Sequence, residues 1–462
     1  MSKIDKFFES IKGKKVCFVG IGTSNLPLIE LFSKKGAIVS ACDRQSYDAL
    51  GENAVRAEKA GAKLILGDNY LDNIDTDILF RSPGTPFYRP ELEALKKKGV
   101  VVTSEMEVFF DLCPCKIIAV TGSDGKTTTT TVISEFLKAE GKTVHLGGNI
   151  GTPLLPIIES INAEDYAVVE LSSFQLISMR QSPEIAVVTN LAPNHLDIHK
   201  DMDEYVDSKR NIVLHQNAFS KAVLNLDNDI ADSFSENVRG KLAKFSRKSE
   251  VENGAYLKDG TIVYNDYGKL TEVIDIKDIK IPGMHNVENY MAAISAVWGI
   301  VSEENIVKVA KTFGGVEHRA EFVRELDGVE YYNDSIASSP TRTAIGTLSL
   351  YDKKIIIIAG GYDKHIPYEP LGPVICDKVK VLILMGDTAP KIEKAVKESE
   401  NYSENNPIII NVNNMEEAVN AARSNAENGD IVSLSPASAS FGLYKNFAQR
   451  GNHFKEIVNN LK

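Results

Sequence analysis

Residues 120–131 read VTGSDGKTTTTT. Two glycines flanking a pair of polar residues, then a lysine and a threonine, are the types a chain needs to wrap a phosphate. Backbone N–H groups in a glycine turn at a helix start face the anion, the lysine neutralises β/γ charge, and the hydroxyl reaches Mg²⁺. Gly122, Ser123, Asp124, Gly125, Lys126 and Thr127 form the expected nucleotide loop, with Thr128 at its edge. From Thr128 to Thr131 the β-branched side chains read as helix packing. The loop departs from the longer GxxxxGK[ST] pattern, because Val120 stands where that pattern has glycine. A threonine-rich turn is the competing reading.

Three further residues could meet a metal-bound nucleotide. Glu170 ends the apolar run of AVVELSSFQL, where a lone acid is either a surface carboxylate or a Mg²⁺ ligand. His195, in NLAPNHLDIH, also follows a strand end, and Lys209, in EYVDSKRNI, reads by itself as a solvated helix lysine. Near the N-terminus, Gly20-Ile-Gly22-Thr-Ser-Asn25 follows a strand and precedes a helix, with Asp43 at a spacing close to that of a dinucleotide site. Asn25 replaces the third glycine of that fingerprint, which leaves a structural turn or a different nucleotide open beside NAD.

These residues need elements to hold them, and the chain supplies alternating strands and helices. KKVCFVGIG, AIVSACDR and TDILFRSPG are strands running into turns, with LPLIELFSKKG a helix stopped by glycine. KIIAVTG enters the phosphate loop, AVVELSSF and IAVVTNL follow, residues 255–276 are polar and β-rich, and a helix is expected from Tyr290 onward. A third alternation runs through GVEYYNDS, KKIIIIAGG, KVLILMGD and DIVSLSPAS. The expected fold class is α/β in three domains. These are an N-terminal Rossmann-like unit over 1–104, a central phosphate-loop ATPase-like unit over 105–315 and a C-terminal Rossmann-like unit over 316–462, with ligands at the carboxyl ends of the strands.

The totals agree with small-molecule chemistry. At 462 residues the chain exceeds one core, and its net charge of −11 argues against nucleic acid or an anionic membrane as the main partner. No apolar run reaches the ~18 residues of a membrane span, and MSKIDKFFESIKGKK lacks the apolar core of a secretory signal. Five cysteines, with Cys113 and Cys115 as a lone CxC, read as reduced thiols of a cytoplasmic protein.

The segments TGSDGKTT, GGNIGTPL, ELSSFQL, NLAPNHLDIH, PGMHNVENYMAA, EHRAEFV, YYNDSIASSPTRT, GGYDK and SPASASFGLYKNFAQRGNHF fall in the order and rough spacing of the Mur ligases. The resemblance runs over essentially the whole chain, and ELSSFQL with SPASAS…KNFAQRG resembles the D-glutamate-adding branch. It implies an ATP- and Mg²⁺-dependent ligase that phosphorylates the carboxylate of UDP-N-acetylmuramoyl-L-alanine. D-glutamate then attacks the acyl phosphate, in the service of peptidoglycan assembly.

Residue by residue, the resemblance implies that Lys126 and Thr127 hold the phosphates and a first Mg²⁺ shared with Glu170. His195 and Lys209, the latter as a carbamate, would serve a second metal site. Asn149, Ser172 and Gln175 match positions around the UDP-substrate, and Asn149 joins the catalytic set. Thr23, Ser24, Asp43, Arg44, Ser82 and Gly84 match the uridine diphosphate region, which accounts for a dinucleotide-like turn without NAD. Asn286, Asn289, Arg319 and Asp334 match ATP contacts, and Ser338, Lys364, Ser440 and Phe447 match the D-glutamate site.

Two departures stand out: Ile336 where many relatives carry lysine, and Ser338 where threonine is common. The resemblance further implies a cytoplasmic monomer acting on small molecules. Sister ligases with another amino acid and folylpolyglutamate synthases are the neighbouring readings. An NAD-dependent dehydrogenase and a non-catalytic nucleotide switch are the readings from other classes.

Overall fold

The computed structural model describes residues 1–195 and 198–462, the side chain of residue 345 apart. Within it the chain clusters into two compact units, one of residues 1–276 and 288–309 and the other of 277–287 and 310–462.

The first unit contains two sheets. Strands Lys15–Val19, Ile38–Asp43, Lys63–Leu66, Ile78–Arg81 and Val101–Thr103 form an all-parallel sheet in which the spatial order is third, second, first, fourth, fifth. Strand order reverses around the first strand, which opens a crevice at the carboxyl ends of the first and fourth strands, where Gly20 and Ser82 lie. Helix Leu26–Lys34 starts at that crevice and buries Leu26, Leu28, Ile29 and Phe32. Phe32 meets Phe18 and Phe80 of the sheet, at ring-centre separations of 5.3 and 5.0 Å.

The second sheet has nine strands. Six consecutive parallel pairings run from Val144–Gly148 through Tyr166–Glu170, Lys116–Thr121, Ile185–Val188, Lys221–Asn225 and Lys241–Ser246 to Asn253–Lys258. Strands Thr261–Asp266 and Lys269–Asp275 then add an antiparallel edge, the β-rich stretch expected from the sequence. Lys116–Thr121 lies inside this sheet between two parallel neighbours, and accordingly reads as a near-continuous apolar run. One hydrophobic core joins both sheets of this unit, with Met106 and Phe109 of helix Glu105–Leu112 beside Leu154, Leu155 and Leu176.

The second unit has a six-stranded sheet. Glu321–Leu326 pairs antiparallel with Val329–Asn333, and parallel pairings follow through Ile431–Leu434, Ile355–Ala359 and Val379–Leu384 to Ile408–Asn411. The alternating sides of the isoleucine run divide between two cores, Ile355 and Ile357 on one face and Ile356 and Ile358 on the other. The helix expected from Tyr290 begins earlier, spanning Met284–Val297. Its opening residues, MHNVEN, hold only Met284 and Val287 as apolar positions, too few to show a helical period. No helix among the described residues is long and apolar enough to cross a membrane, and all five cysteines are free thiols.

Candidate active site

The phosphate loop is built by sterics before any side chain is considered. Strand Lys116–Thr121 stops at Gly122, and helix Lys126–Ala139 starts after Gly125. Gly125 has φ 76°, in the region that favours glycine. A Cβ on Gly122 would collide with the Thr189 hydroxyl, and one on Gly125 with the Asn289 amide. The loop is pinned from the neighbouring strand end. Ser123 N donates to Asn190 O at 2.8 Å, Asp124 N donates to Asn190 Oδ1 at 3.0 Å, and Thr189 Oγ1 donates to Asp124 O at 2.6 Å. Below it, Ser123 Oγ and Tyr205 OH are 2.8 Å apart. Backbone geometry thus sets the loop, and Lys126 adds a cation to it, its Nζ donating to Gly122 O at 3.0 Å and Ser123 O at 2.8 Å.

Helix and sheet bring the expected acid to this loop. Thr127 is in the first turn of the helix, Glu170 ends strand Tyr166–Glu170, and Thr127 Oγ1 donates to Glu170 Oε2 at 2.7 Å. The other carboxylate oxygen accepts from Asn149 Nδ2 at 2.8 Å, and Asn149 N donates to Glu170 O at the same distance. Glu170 is only 2% exposed. A hydroxyl and a carboxylate facing each other at this loop are hard oxygen donors of the kind suited to Mg²⁺. Among the described residues there is no cluster of three His, Cys, Asp or Glu side chains that could hold a metal by itself.

Lys209 is not a solvated helix lysine. On helix Met202–Leu214 it is 2% exposed, and Nζ donates to Gly122 O at 2.9 Å and Thr121 Oγ1 at 3.2 Å. Burial, reinforced by the nearby Lys126 charge and opposed by Glu170 and Asp124, pushes its pKa well below the ordinary lysine value. A neutral amine is what carbamate formation with CO₂ requires, so the residue fits that modification.

His195 is exposed with φ 56°, its ring edge-on to Phe174 at 5.1 Å. The other face-forming imidazole was not singled out by the sequence. His199 stacks flat on Phe174 at 5.0 Å and lies 2.9 Å from Ser173 Oγ and 3.1 Å from Glu204 Oε2. Ser172 and Gln175 bond each other in a capping box at the start of helix Ser173–Leu176, with Ser172 N donating to Gln175 Oε1 at 2.9 Å.

In the first sheet, both Asp43 oxygens accept backbone N–H groups, from Ile21 at 2.8 Å and Gln45 at 2.9 Å. The Asp43 side chain therefore holds the turn after the first strand, where Thr23 is exposed and Ser24 half-buried. Asn25 takes over from the missing glycine by donating to Val19 O and Gly20 O. Arg44 extends into solvent near Asp68, and Ser82 Oγ is 3.1 Å from Thr85 Oγ1, with Gly84 exposed on the same turn. A buried arginine escaped the sequence reading here: Arg81 donates to Thr85 O and to Phe174 O, each at 2.8 Å. Its signal was a charge ending the apolar strand Ile78–Arg81.

In the second unit, Asn286 Nδ2 donates to Pro282 O at 2.6 Å. Asp334 is buried at the end of strand Val329–Asn333, where it accepts from Thr347 Oγ1 and from Ala320 N. Burial pushes its carboxyl up to about 6, against the lowering effects of these bonds, Arg319 and Arg342. Asn289, in the first unit, accepts from Thr129 Oγ1 at 3.2 Å. The four residues matched to D-glutamate sit on three loops and one helix start. Ser338 follows strand Val329–Asn333, exposed Lys364 follows Ile355–Ala359 with Nζ 5.6 Å from the Phe441 ring, and buried Ser440 follows Ile431–Leu434. Phe447 begins helix Phe447–Asn460.

The chain matches the Mur ligase middle domain over residues 120–297 and the Mur ligase glutamate ligase domain over residues 318–438. It is 53% identical to the UDP-N-acetylmuramoylalanine--D-glutamate ligase of Acetivibrio thermocellus, over 100% of this chain and 99% of that protein. It is 52% identical to the enzyme of the same name from Clostridium novyi, over 99% of each. Among solved structures it resembles the UDP-N-acetylmuramate-alanine ligase of Thermotoga maritima. That match has a TM-score of 0.58 and 16% identity, covering 97% of this chain and 100% of that one, a likeness of fold.

Proposed function

The chain belongs to the Mur ligase family, and on that premise we propose that it joins D-glutamate to UDP-N-acetylmuramoyl-L-alanine at the expense of ATP. The observation that carries the reading is the meeting of Thr127, Glu170, Asn149, Lys126 and Lys209 around one phosphate loop. It is supported by full-length identity above half to ligases of that name.

In the proposed reaction a carboxylate oxygen of the alanyl group attacks the γ-phosphorus and the bond to ADP breaks, giving an acyl phosphate. The amine of D-glutamate then attacks the acyl carbon. The tetrahedral intermediate loses phosphate, and a proton leaves the nitrogen to give the amide. Two anions must approach, so charge neutralisation and positioning do most of the work. The backbone N–H groups at the start of helix Lys126–Ala139 orient the phosphates, and Lys126 neutralises them. Thr127 and Glu170 would hold Mg²⁺, which when bound supplies further neutralisation of the transferred phosphoryl group. Asn149 fixes the Glu170 carboxylate through the oxygen opposite Thr127. Lys209, as a carbamate, and His195 would serve a second cation.

Asn286, Asn289, Arg319 and Asp334 are assigned to ATP. Thr23, Ser24, Asp43, Arg44, Ser82, Gly84, Ser172 and Gln175 are assigned to the UDP-substrate, and Ser338, Lys364, Ser440 and Phe447 to D-glutamate. Free thiols accord with a cytoplasmic enzyme, here taken as a monomer. The test is phosphate release with ATP, Mg²⁺ and UDP-N-acetylmuramoyl-L-alanine against a panel of D- and L-amino acids. Release confined to D-glutamate is expected; release with a different amino acid, or with none, overturns the reading.

A further inference from the structure

Arg450 lies in the first turns of helix Phe447–Asn460, on the same face as Gly451, Phe454 and Val458, and is 2% exposed. A guanidinium so buried ordinarily meets a carboxylate, since desolvating an unpaired charge is costly. Among the described residues Arg450 has none: each of its bonds goes to a carbonyl or a hydroxyl. Nε donates to Ser335 Oγ at 3.0 Å and Nη2 to Ser335 O at 2.9 Å, while Nη1 donates to Ser438 O at 3.1 Å and Ala439 O at 3.2 Å.

Those partners belong to different loops at the carboxyl edge of the six-stranded sheet. Ser335 also donates from Oγ to Phe447 O at 2.8 Å, tying the helix start to the first loop. The loop after strand Ile355–Ala359 lies on the same guanidinium: a Cβ on Gly361 would stand 3.2 Å from Nη1. Tyr362 N donates to Ala439 O at 2.9 Å, so that carbonyl is shared between the arginine and this loop. Ser338, Lys364, Ser440 and Phe447 are thus each within a few residues of a group in direct contact with Arg450.

We propose that Arg450 is a positioning residue for the amino-acid substrate: its planar fork holds the loops of Ser338, Lys364 and Ser440 and the start of the Phe447 helix in one register. The proposal rests on the D-glutamate reading above. A lysine cannot reproduce it, because a point charge on a flexible stem lacks the five donors in fixed directions. A second consequence is electrostatic. A cation without an acidic partner leaves net positive charge beneath a site meant for a dicarboxylic amino acid.

The test is steady-state kinetics of the full-length enzyme carrying Arg450→Lys or Arg450→Ala, with thermal melting alongside. The parent must first release phosphate in response to D-glutamate; if it does not, the functional reading fails, independently of Arg450. Given an active parent, the expected result is a D-glutamate KM raised about 10–100-fold, the scale of losing charged hydrogen bonds, with ATP and UDP-substrate KM within about twofold. Added guanidinium should lower the D-glutamate KM of Arg450→Ala and leave that of Arg450→Lys unchanged. A fall in kcat or melting temperature with the D-glutamate KM unchanged would mean a structural role only and overturn the proposal. If neither variant folds, Ser335→Ala keeps the guanidinium and removes one hydroxyl of the clamp. It should raise the D-glutamate KM severalfold, and an unchanged value overturns the proposal equally.

Discussion

The Thr127 hydroxyl donates to one oxygen of the Glu170 carboxylate at 2.7 Å, joining the helix that starts at the phosphate loop to the end of the adjacent strand. Asn149 occupies the other oxygen, so the carboxylate has a fixed orientation. If this pair holds Mg²⁺, Thr127→Val should raise the Mg²⁺ concentration for half-maximal rate roughly 10–100-fold, as loss of a metal-orienting group does. Thr127→Ser, which keeps the oxygen, should stay near the parent. Mg²⁺ titration of phosphate release decides it, and equal Mg²⁺ dependence in all three proteins would remove the pair from the metal site.

Lys126 should be needed for turnover and dispensable for the loop. The loop is held by Asn190 and Thr189 independently of the ammonium. Lys126→Ala is therefore expected to melt within a few degrees of the parent while losing ATP-dependent product formation. A folded Lys126→Ala enzyme with full activity would sink the phosphate-loop assignment.

What the sequence revealed and what it hid follow from how local each feature is. The phosphate loop was legible because strand, turn, lysine and threonine are contiguous, and the turn demands glycine at Gly122 and Gly125. The isoleucine strand Ile355–Ala359 was legible because burial on both faces leaves an unbroken apolar run. Strand Glu321–Leu326 escaped, since an edge strand pairing on one side carries mixed polarity. Arg81 and Arg450 also escaped, because their partners are backbone carbonyls remote in sequence, and a carbonyl has no residue type to read. Lys209 looked like any helix lysine. Its burial depends on Gly122 and Thr121, far away along the chain. Only the family resemblance singles it out as a site residue, because periodicity cannot.

Lys364 is exposed beside the Phe441 ring, with its ammonium available to a ligand carboxylate. If Lys364 pairs with a carboxylate of D-glutamate as proposed, removing the cation leaves that carboxylate desolvated and alone, a loss of ~2–5 kcal/mol or roughly 30-fold and more in affinity. Lys364→Ala should raise the D-glutamate KM on that scale and leave those of ATP and the UDP-substrate nearly unchanged. Should ATP binding weaken instead, the lysine belongs to the nucleotide.

Glu105 gives the fold a pH dependence. Buried at the start of helix Glu105–Leu112, its Oε1 accepts from Leu154 N at 2.9 Å and Leu155 N at 3.0 Å, yet desolvation outweighs these bonds and raises its pKa from 4.5 to about 7. With the folded value above the unfolded one, its favourable contribution is complete below 4.5 and is lost as pH rises through about 7. The full swing is on the order of 2–4 kcal/mol. Glu105→Gln keeps an acceptor for both N–H groups and cannot ionise. Relative to the parent, it should therefore melt higher at pH 8 than at pH 5. A parent-minus-variant difference that does not vary with pH would show that the carboxyl does not titrate in this range.

The last prediction concerns Lys209, whose amine is buried against the phosphate loop between Gly122 O and Thr121 Oγ1. A bare ammonium there would add to the charge of Lys126 and repel a metal ion. A carbamate formed from the neutral amine and CO₂ would present oxygen ligands to a hard cation. Lys209→Ala should therefore lose most activity at saturating ATP, and formate or acetate should restore part of it by placing a free carboxylate in the vacated space. Lys209→Arg should resist rescue, because its guanidinium fills the space and keeps the wrong charge. Rescue should saturate with carboxylate concentration and be absent with chloride at equal ionic strength, which separates occupancy of a site from salt screening. Parent-like activity in Lys209→Ala, or equal rescue by chloride, would remove the carbamate role and leave Lys209 as a hydrogen-bond donor that braces the loop through the Gly122 carbonyl.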